Sequence, residues 1–140
     1  MDWSYISGFF DGEGNINLIK VKTSLNGTNQ LSVMIRIYQQ DAEVLKSIQS
    51  FLGFGKIYSK RDLHELTFNK KSNVKFFLEN IKDKVIVKKA QVDYLLKNYS
   101  FERKSNAYFD VDQFRSSIKR KNVDKFRKLH TTFLTNRLTE

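Results

Sequence analysis

Apolar residues recur at helical spacing from the first turn of the chain. Trp3, Ile6, Phe9 and Phe10 predict a helix over residues 2–13, with Asp2 placed to cap it and Gly12 and Gly14 to break it. The period then drops to two. Residues 15–23 read as a strand whose alternation changes phase at Leu18-Ile19, which predicts a bulge there or two partly covered faces. Asn26-Gly27 signals a tight hairpin. Residues 30–39 form the clearest strand, with Leu31, Val33, Ile35 and Ile37 on one face and Gln30, Ser32, Met34, Arg36 and Tyr38 on the other.

Helical spacing returns after Asp41, a cap for a helix over 42–52 that turns Val44, Leu45, Ile48 and Leu52 inward and ends at Gly53 and Gly55. A second hairpin follows over 56–60 and 64–69, turning at Arg61-Asp62. Ser72 is the expected cap of a helix over 73–83 with Val74, Phe77, Leu78 and Ile81 inward. Residues 88–99 read as another helix, and a C-terminal helix starts near residue 112, with a possible break at Lys121-Asn122. The element order is αββαββα with helical additions. Two successive hairpins favour one antiparallel sheet with helices on one face, an α+β architecture.

Helices covering the Leu31/Val33/Ile35/Ile37 side leave the other face open. Tyr58, Lys60, Glu65, Thr67 and Asn69 extend that polar face across the second hairpin. An ordinary solvated sheet face would look similar, but Arg, Gln, Asn and Lys side chains also match the hydrogen-bonding edges of bases. A β-ribbon fits the major groove.

Charge favours the second use. The 140 residues carry 25 Lys+Arg against 15 Asp+Glu, a formal charge of +10. Residues 1–70 hold 8 basic and 7 acidic side chains and residues 71–140 hold 17 and 8, so the excess lies in the second half. Such an excess suits a polyanion partner held by phosphate contacts. Hydrophobic residues at 40% exclude a mainly disordered chain, and 140 residues are the size of one domain, 1–140. No window reaches the ~18 apolar residues of a membrane span, and no leader pattern opens the chain. The expected setting is intracellular, either organellar or bacterial, archaeal or phage-encoded, and not secreted. Cysteine is absent and only His64 and His130 provide imidazoles, so any metal is expected to be hard and oxygen-bound.

The most informative stretch is Tyr5-Ile6-Ser7-Gly8-Phe9-Phe10-Asp11-Gly12-Glu13-Gly14. Gly8 and Gly12 are four apart and share one side of the helix, where small residues allow two helix backbones to approach closely. Glycine costs a helix interior about 1 kcal/mol, so its presence needs a reason. Two acids follow at once. A helix end with a carboxylate beside a tight two-helix contact brings two carboxylates together, a geometry suited to divalent cations bridging phosphate oxygens. The plain alternative is a glycine-ended helix whose acids serve a turn.

This segment resembles the LAGLIDADG motif of the homing endonucleases. Gly8, the Asp11-Gly12-Glu13-Gly14 end and the intervening hydrophobic residues carry the match. Tyr5-Ile6-Ser7 replaces the usual leucine-alanine opening, and Glu13 stands where many members have Asp. The likeness covers about residues 3–100 and includes the αββαββα order, the polar antiparallel sheet and the basic charge.

The resemblance implies a site-specific DNA endonuclease that makes double-strand breaks at a long, palindromic or nearly palindromic intron-homing site. It implies Mg²⁺ as cofactor, with Mn²⁺ as a substitute. Glu13 and the Gly12 carbonyl become metal ligands. Gln39 would orient solvent, and Lys88 would act near the scissile phosphate, which makes Glu13, Gln39 and Lys88 the catalytic set. Asp11 is expected to support the motif's turn rather than bind metal. One motif per chain implies a homodimer through Ile6, Gly8, Phe9 and Gly12. Sheet residues Asn15, Asn17, Ile19, Gln30, Ser32, Met34, Arg36, Tyr38, Tyr58, Lys60, Arg61, Glu65, Thr67 and Asn69 are the expected DNA contacts. Arg115, Lys119, Arg120 and Lys121 of the basic C-terminal run are expected on phosphates. Two other activities fit the same scaffold: an intron maturase that binds RNA, and a catalytically silent DNA-binding regulator.

Overall fold

The computed structural model describes residues 1–22, 29–102 and 105–118. The Asn26-Gly27 turn, Lys119, Arg120, Lys121 and the break expected at Lys121-Asn122 lie outside the described residues. The element order is α1 (Trp3–Glu13), β1 (Gly14–Lys22), β2 (Asn29–Gln39), α2 (Ala42–Leu52), β3 (Lys56–Lys60), β4 (Leu63–Phe68), α3 (Lys71–Ile81), α4 (Lys89–Asn98) and α5 (Val111–Ser117). The αββαββα plan is present, with α4 and α5 as the helical additions. No helix among the described residues is long and apolar enough to cross a membrane.

The four strands form one antiparallel sheet in the order β1-β2-β4-β3. Strand alternation puts Ile16, Val33, Ile35, Ile37, Leu66 and Phe68 on the covered face, where all are buried. Helices α1, α2 and α3 pack over that side, contributing Ile6, Phe10, Leu45, Ile48, Phe77, Leu78 and Ile81 to the core. Phe77 anchors it, with the Phe10 and Phe68 rings edge-on at 5.0 Å and 5.1 Å. α4 packs on α3, and α5 on α4, where the Tyr94, Phe109 and Phe114 rings cluster.

Local chemistry sets the boundaries. Asp2 caps α1 by accepting the Tyr5 amide at 2.8 Å, and Asp41 caps α2 by accepting the Glu43 amide at 3.0 Å. Gly53 ends α2 in the left-handed region at φ 79°. The second hairpin turns at Arg61-Asp62 as expected, with Arg61 itself at φ 56°.

Three expectations are corrected and one open choice is decided. β1 pairs with β2 residue for residue from Gly14–Ile37 to Lys22–Asn29, so Leu18-Ile19 holds no bulge. The phase change instead reflects two partly covered faces, with Leu18 on the helix side and Ile19 half-buried on the other. Gly12 does not break α1, which runs on to Glu13. Ser72 does not cap α3. The helix begins at Lys71, its N-cap is Lys70, and Ser72 lies in the first turn. β4 ends at Phe68, so Asn69 stands just past the sheet.

Candidate active site and nucleic-acid interface

α1 runs straight into β1. Gly14 is both the C-cap of α1 and the first paired residue of β1, opposite Ile37. Packing requires a glycine there, because a Cβ at that position would meet the Phe10 ring at 2.0 Å. The tight junction sets exposed Glu13 beside the end of β2, where Tyr38 and Gln39 lie. Gln39 Oε1 accepts the Gln40 amide at 2.8 Å, which holds the side chain and leaves its NH₂ as a donor. The cross-strand partner of Gln39 is His64, whose Nδ1 lies 2.7 Å from Ser59 Oγ.

Lys88 reaches the same end of α1 from the far side of the chain. Its Nζ donates to the Asp11 carbonyl at 2.8 Å and lies 5.5 Å from the centre of the Phe10 ring. Burial pushes the Lys88 ammonium below its usual pKa, and the carboxylates of Asp11 and Glu13 oppose that shift. A partly desolvated ammonium between two acids is easier to deprotonate than a surface lysine and carries a less screened charge.

Asp11 does not support its own turn. Its Oδ2 accepts the amides of Ile86 at 2.9 Å and Val87 at 3.0 Å, and its Oδ1 accepts the amide of Lys88 at 2.9 Å. Burial works to raise the Asp11 pKa, but the three amides and the Lys88 charge prevail and hold the carboxyl below its usual range. The two acids thus divide their labour, with Asp11 occupied by backbone and Glu13 left exposed.

The donor set at this helix end fits a hard cation. The last carbonyls of a helix lack intrahelical partners. The Phe10 carbonyl accepts the Gly14 amide and the Asp11 carbonyl accepts Lys88, while among the described residues no side chain or loop amide donates to the Gly12 carbonyl, which is next in sequence to Glu13 and its carboxylate. Both are oxygen ligands of the kind Mg²⁺ takes. Among the described residues no three His, Cys, Asp or Glu side chains cluster to hold a metal.

The open face of the sheet carries the expected polar rows. Asn15, Arg36, Thr67 and Lys56 stand side by side across all four strands, and Tyr38, Glu65 and Tyr58 form the next row. Asn17, Ile19, Gln30, Ser32, Met34 and Lys60 share this face. Arg36 Nε lies 3.1 Å from Glu65 Oε1 without an aligned hydrogen bond, and Thr67 Oγ1 donates to Met34 Sδ at 2.8 Å. Lys56 was not among the expected contacts, although its alternation with Tyr58 and Lys60 was readable. Arg61 occupies the exposed turn at the end of the same hairpin, and Arg115 is exposed on α5.

The outer side of α1 differs from its inner side. Gly8 and Gly12 are exposed, and a Cβ at either would meet nothing within 4 Å. Tyr5 is exposed and stacks on half-buried Phe9. Ile6 is 0% exposed in the core, so it does not belong to an outward contact surface as expected.

An open polar sheet face adjoining a helix end with a free carboxylate and a gripped lysine defines an α+β protein suited to a polyanion. The LAGLIDADG endonuclease family model matches residues 6–114, and the chain belongs to that family. Among solved structures, the homing endonuclease I-CvuI, in complex with DNA in the presence of Mg, is 25% identical with a TM-score of 0.61, over 68% of this chain and 63% of that one. The homing endonuclease I-TnaI is 26% identical with a TM-score of 0.58, over 69% of this chain and 70% of that one. An archaeal intron-encoded homing endonuclease, I-Vdi141I, complexed with DNA, shares the fold at 21% identity and a TM-score of 0.56, over 86% of this chain and 96% of that one. The chain thus spans just under two thirds of I-CvuI. No curated protein sequence matches it.

Proposed function

We propose that the protein is a Mg²⁺-dependent, site-specific DNA endonuclease that acts as a homodimer and makes double-strand breaks at a long, nearly palindromic intron-homing site. The observation that carries this reading is the convergence of Glu13, the Gly12 carbonyl and Lys88 at the end of α1, at one edge of the polar sheet face. An I-CvuI structure in complex with DNA in the presence of Mg, with the DNA not cleaved, and one in the presence of Ca support a DNA target and a divalent cation.

In this reading the sheet lies along the major groove, with Arg36, Tyr38, Lys56, Tyr58 and Lys60 facing base edges. Arg115 and the basic segment after it contact phosphates and set the salt dependence. Glu13 and the Gly12 carbonyl hold the cation, which when bound neutralises phosphate charge and acidifies water. Lys88 would offer its ammonium to the developing phosphate charge or, as the neutral amine, take a proton from the attacking water. The Gln39 NH₂ orients that water.

Two strands need two such sets, and each chain has one. Gly8 and Gly12 explain themselves in a C2 dimer. Nothing among the described residues requires a glycine there, which supports a second helix packed across them.

The deciding experiment is cleavage of intronless-junction DNA with Mg²⁺ or Mn²⁺. Wild type should cut both strands, and Glu13→Gln should bind the same DNA but cut at least about a thousandfold more slowly, the scale expected when a charge-stabilising group is lost. Binding without any nicking in either metal by wild type would overturn the enzyme reading in favour of a DNA-binding regulator. Preference for the intron transcript over DNA would favour a maturase.

A further inference from the structure

Asp11 has no part in the chemistry above, yet it ties together the two helices that carry that chemistry. Its carboxylate takes the amides of Ile86, Val87 and Lys88, three successive N–H groups forming a concave nest for an anion. These residues immediately precede α4, and Lys88, the N-cap of α4, makes no side-chain cap bond of its own. The anchor comes from a residue 75 to 77 positions earlier in the chain.

We propose that Asp11 is the positioning residue for Lys88, fixing its main chain and thereby delivering its ammonium to the end of α1. Lys88 is held at both ends by this one residue: its amide on Asp11 Oδ1 at 2.9 Å, its Nζ on the Asp11 carbonyl at 2.8 Å. A long, flexible side chain becomes a closed loop with its charge at one place. The Nζ therefore stays where the Glu13 carboxylate feels it, instead of sampling solvent. A carboxylate is the natural group for the task. Its two oxygens accept all three amides, whereas an amide side chain would turn an NH₂ donor toward at least one of them. The proposal rests on the catalytic reading of Lys88, and its test separates the two.

Asp11→Asn should slow single-turnover cleavage about 10–100-fold, the scale for a misplaced catalytic group, while DNA affinity stays within about threefold. On a Lys88→Met background, followed over hours, the same change should slow cleavage no further, because the group it positions is gone. Equal slowing on both backgrounds means Asp11 only supports the fold and overturns the proposal, as does a parallel loss of DNA affinity. If Asp11→Asn does not fold, Asp11→Ser, which keeps a capping acceptor, enters the same cycle.

A second readout uses the protein without DNA or metal. Amide hydrogen exchange at residues 86–88 should accelerate in the Asn variant, and the ¹⁵Nζ resonance of Lys88, kept sharp by its bond to the Asp11 carbonyl, should broaden. Unchanged amides and an unchanged Lys88 resonance overturn the positioning role. If wild type never cleaves, the endonuclease reading fails, and the exchange and Nζ data still decide whether Asp11 holds Lys88.

Discussion

The two sides of α1 are built to different rules. The inner side, with Ile6, Ser7 and Phe10, is buried against the sheet and α3. The outer side, with Tyr5, Gly8 and Gly12, is exposed and carries two glycines that no contact among the described residues requires. Burial explains Ile6 and Phe10 on the first side, because apolar volume that fits is what a core requires. It explains nothing about the second, where each glycine lowers helix stability. The proposed dimer contact would account for that cost on the outer side.

Substitutions on the two sides should therefore fail in different assays. Phe10→Ala should cost about 3–5 kcal/mol of folding stability in a denaturant titration, since the ring is 0% exposed and packs edge-on against Phe77. Gly8→Leu should do the reverse. Folding stability should rise by up to about 1 kcal/mol from helix propensity. Self-association, followed by sedimentation, should weaken on the order of a hundredfold, or about 2.7 kcal/mol. A monomer that still cuts both strands would erase the contrast.

Arg36→Ala tests the open sheet face, a surface of the same outward kind. It should relax base preference at one position per half-site by about 1–3 kcal/mol, read by cleavage of a randomised target library. A uniform loss across all sequences would mean Arg36 touches phosphate instead. The smallest effect concerns pH. The Asp11 carboxyl titrates below its unfolded value, so its stabilisation is fully present above that unfolded value and is lost as pH falls through the folded one. Metal-free wild type should lose on the order of 1 kcal/mol of its advantage over Asp11→Asn across that acid window, a figure discounted for the partial exposure of the group.

Much of this was legible because it is local. Asp2 and Asp41 sit next to the helices they cap, and β2 alternates without a break, so α1, α2 and the sheet faces follow from neighbouring residues. Leu18 and Ile19 leave a bulge and two partly covered faces both open, because adjacent apolar residues break alternation, and the open face shelters Ile19 without a bulge. The errors have physical causes. Ser72 is a strong cap by type, yet the extended backbone at Lys70 starts the helix two residues sooner. Ile6 is expected on the outward contact surface, but it lies in the core with Phe10, where its apolar side chain is buried. Glu13, Gln39 and Lys88 came from motif likeness, and their neighbourhood required the fold. The grip of Asp11 on residues 86–88 had no signal in the sequence at all, because nothing local marks an acid whose partners lie beyond the whole sheet.

That distance has a consequence for the order of assembly. Between Asp11 and Ile86 lie all four strands and two helices, so closing this contact carries the loop entropy of most of the fold. A nascent chain still on the ribosome displays Glu13 early but has no seated Lys88 until α4 has emerged and docked. The proposed nuclease would be inert while it is being made, with folding itself acting as its safety catch.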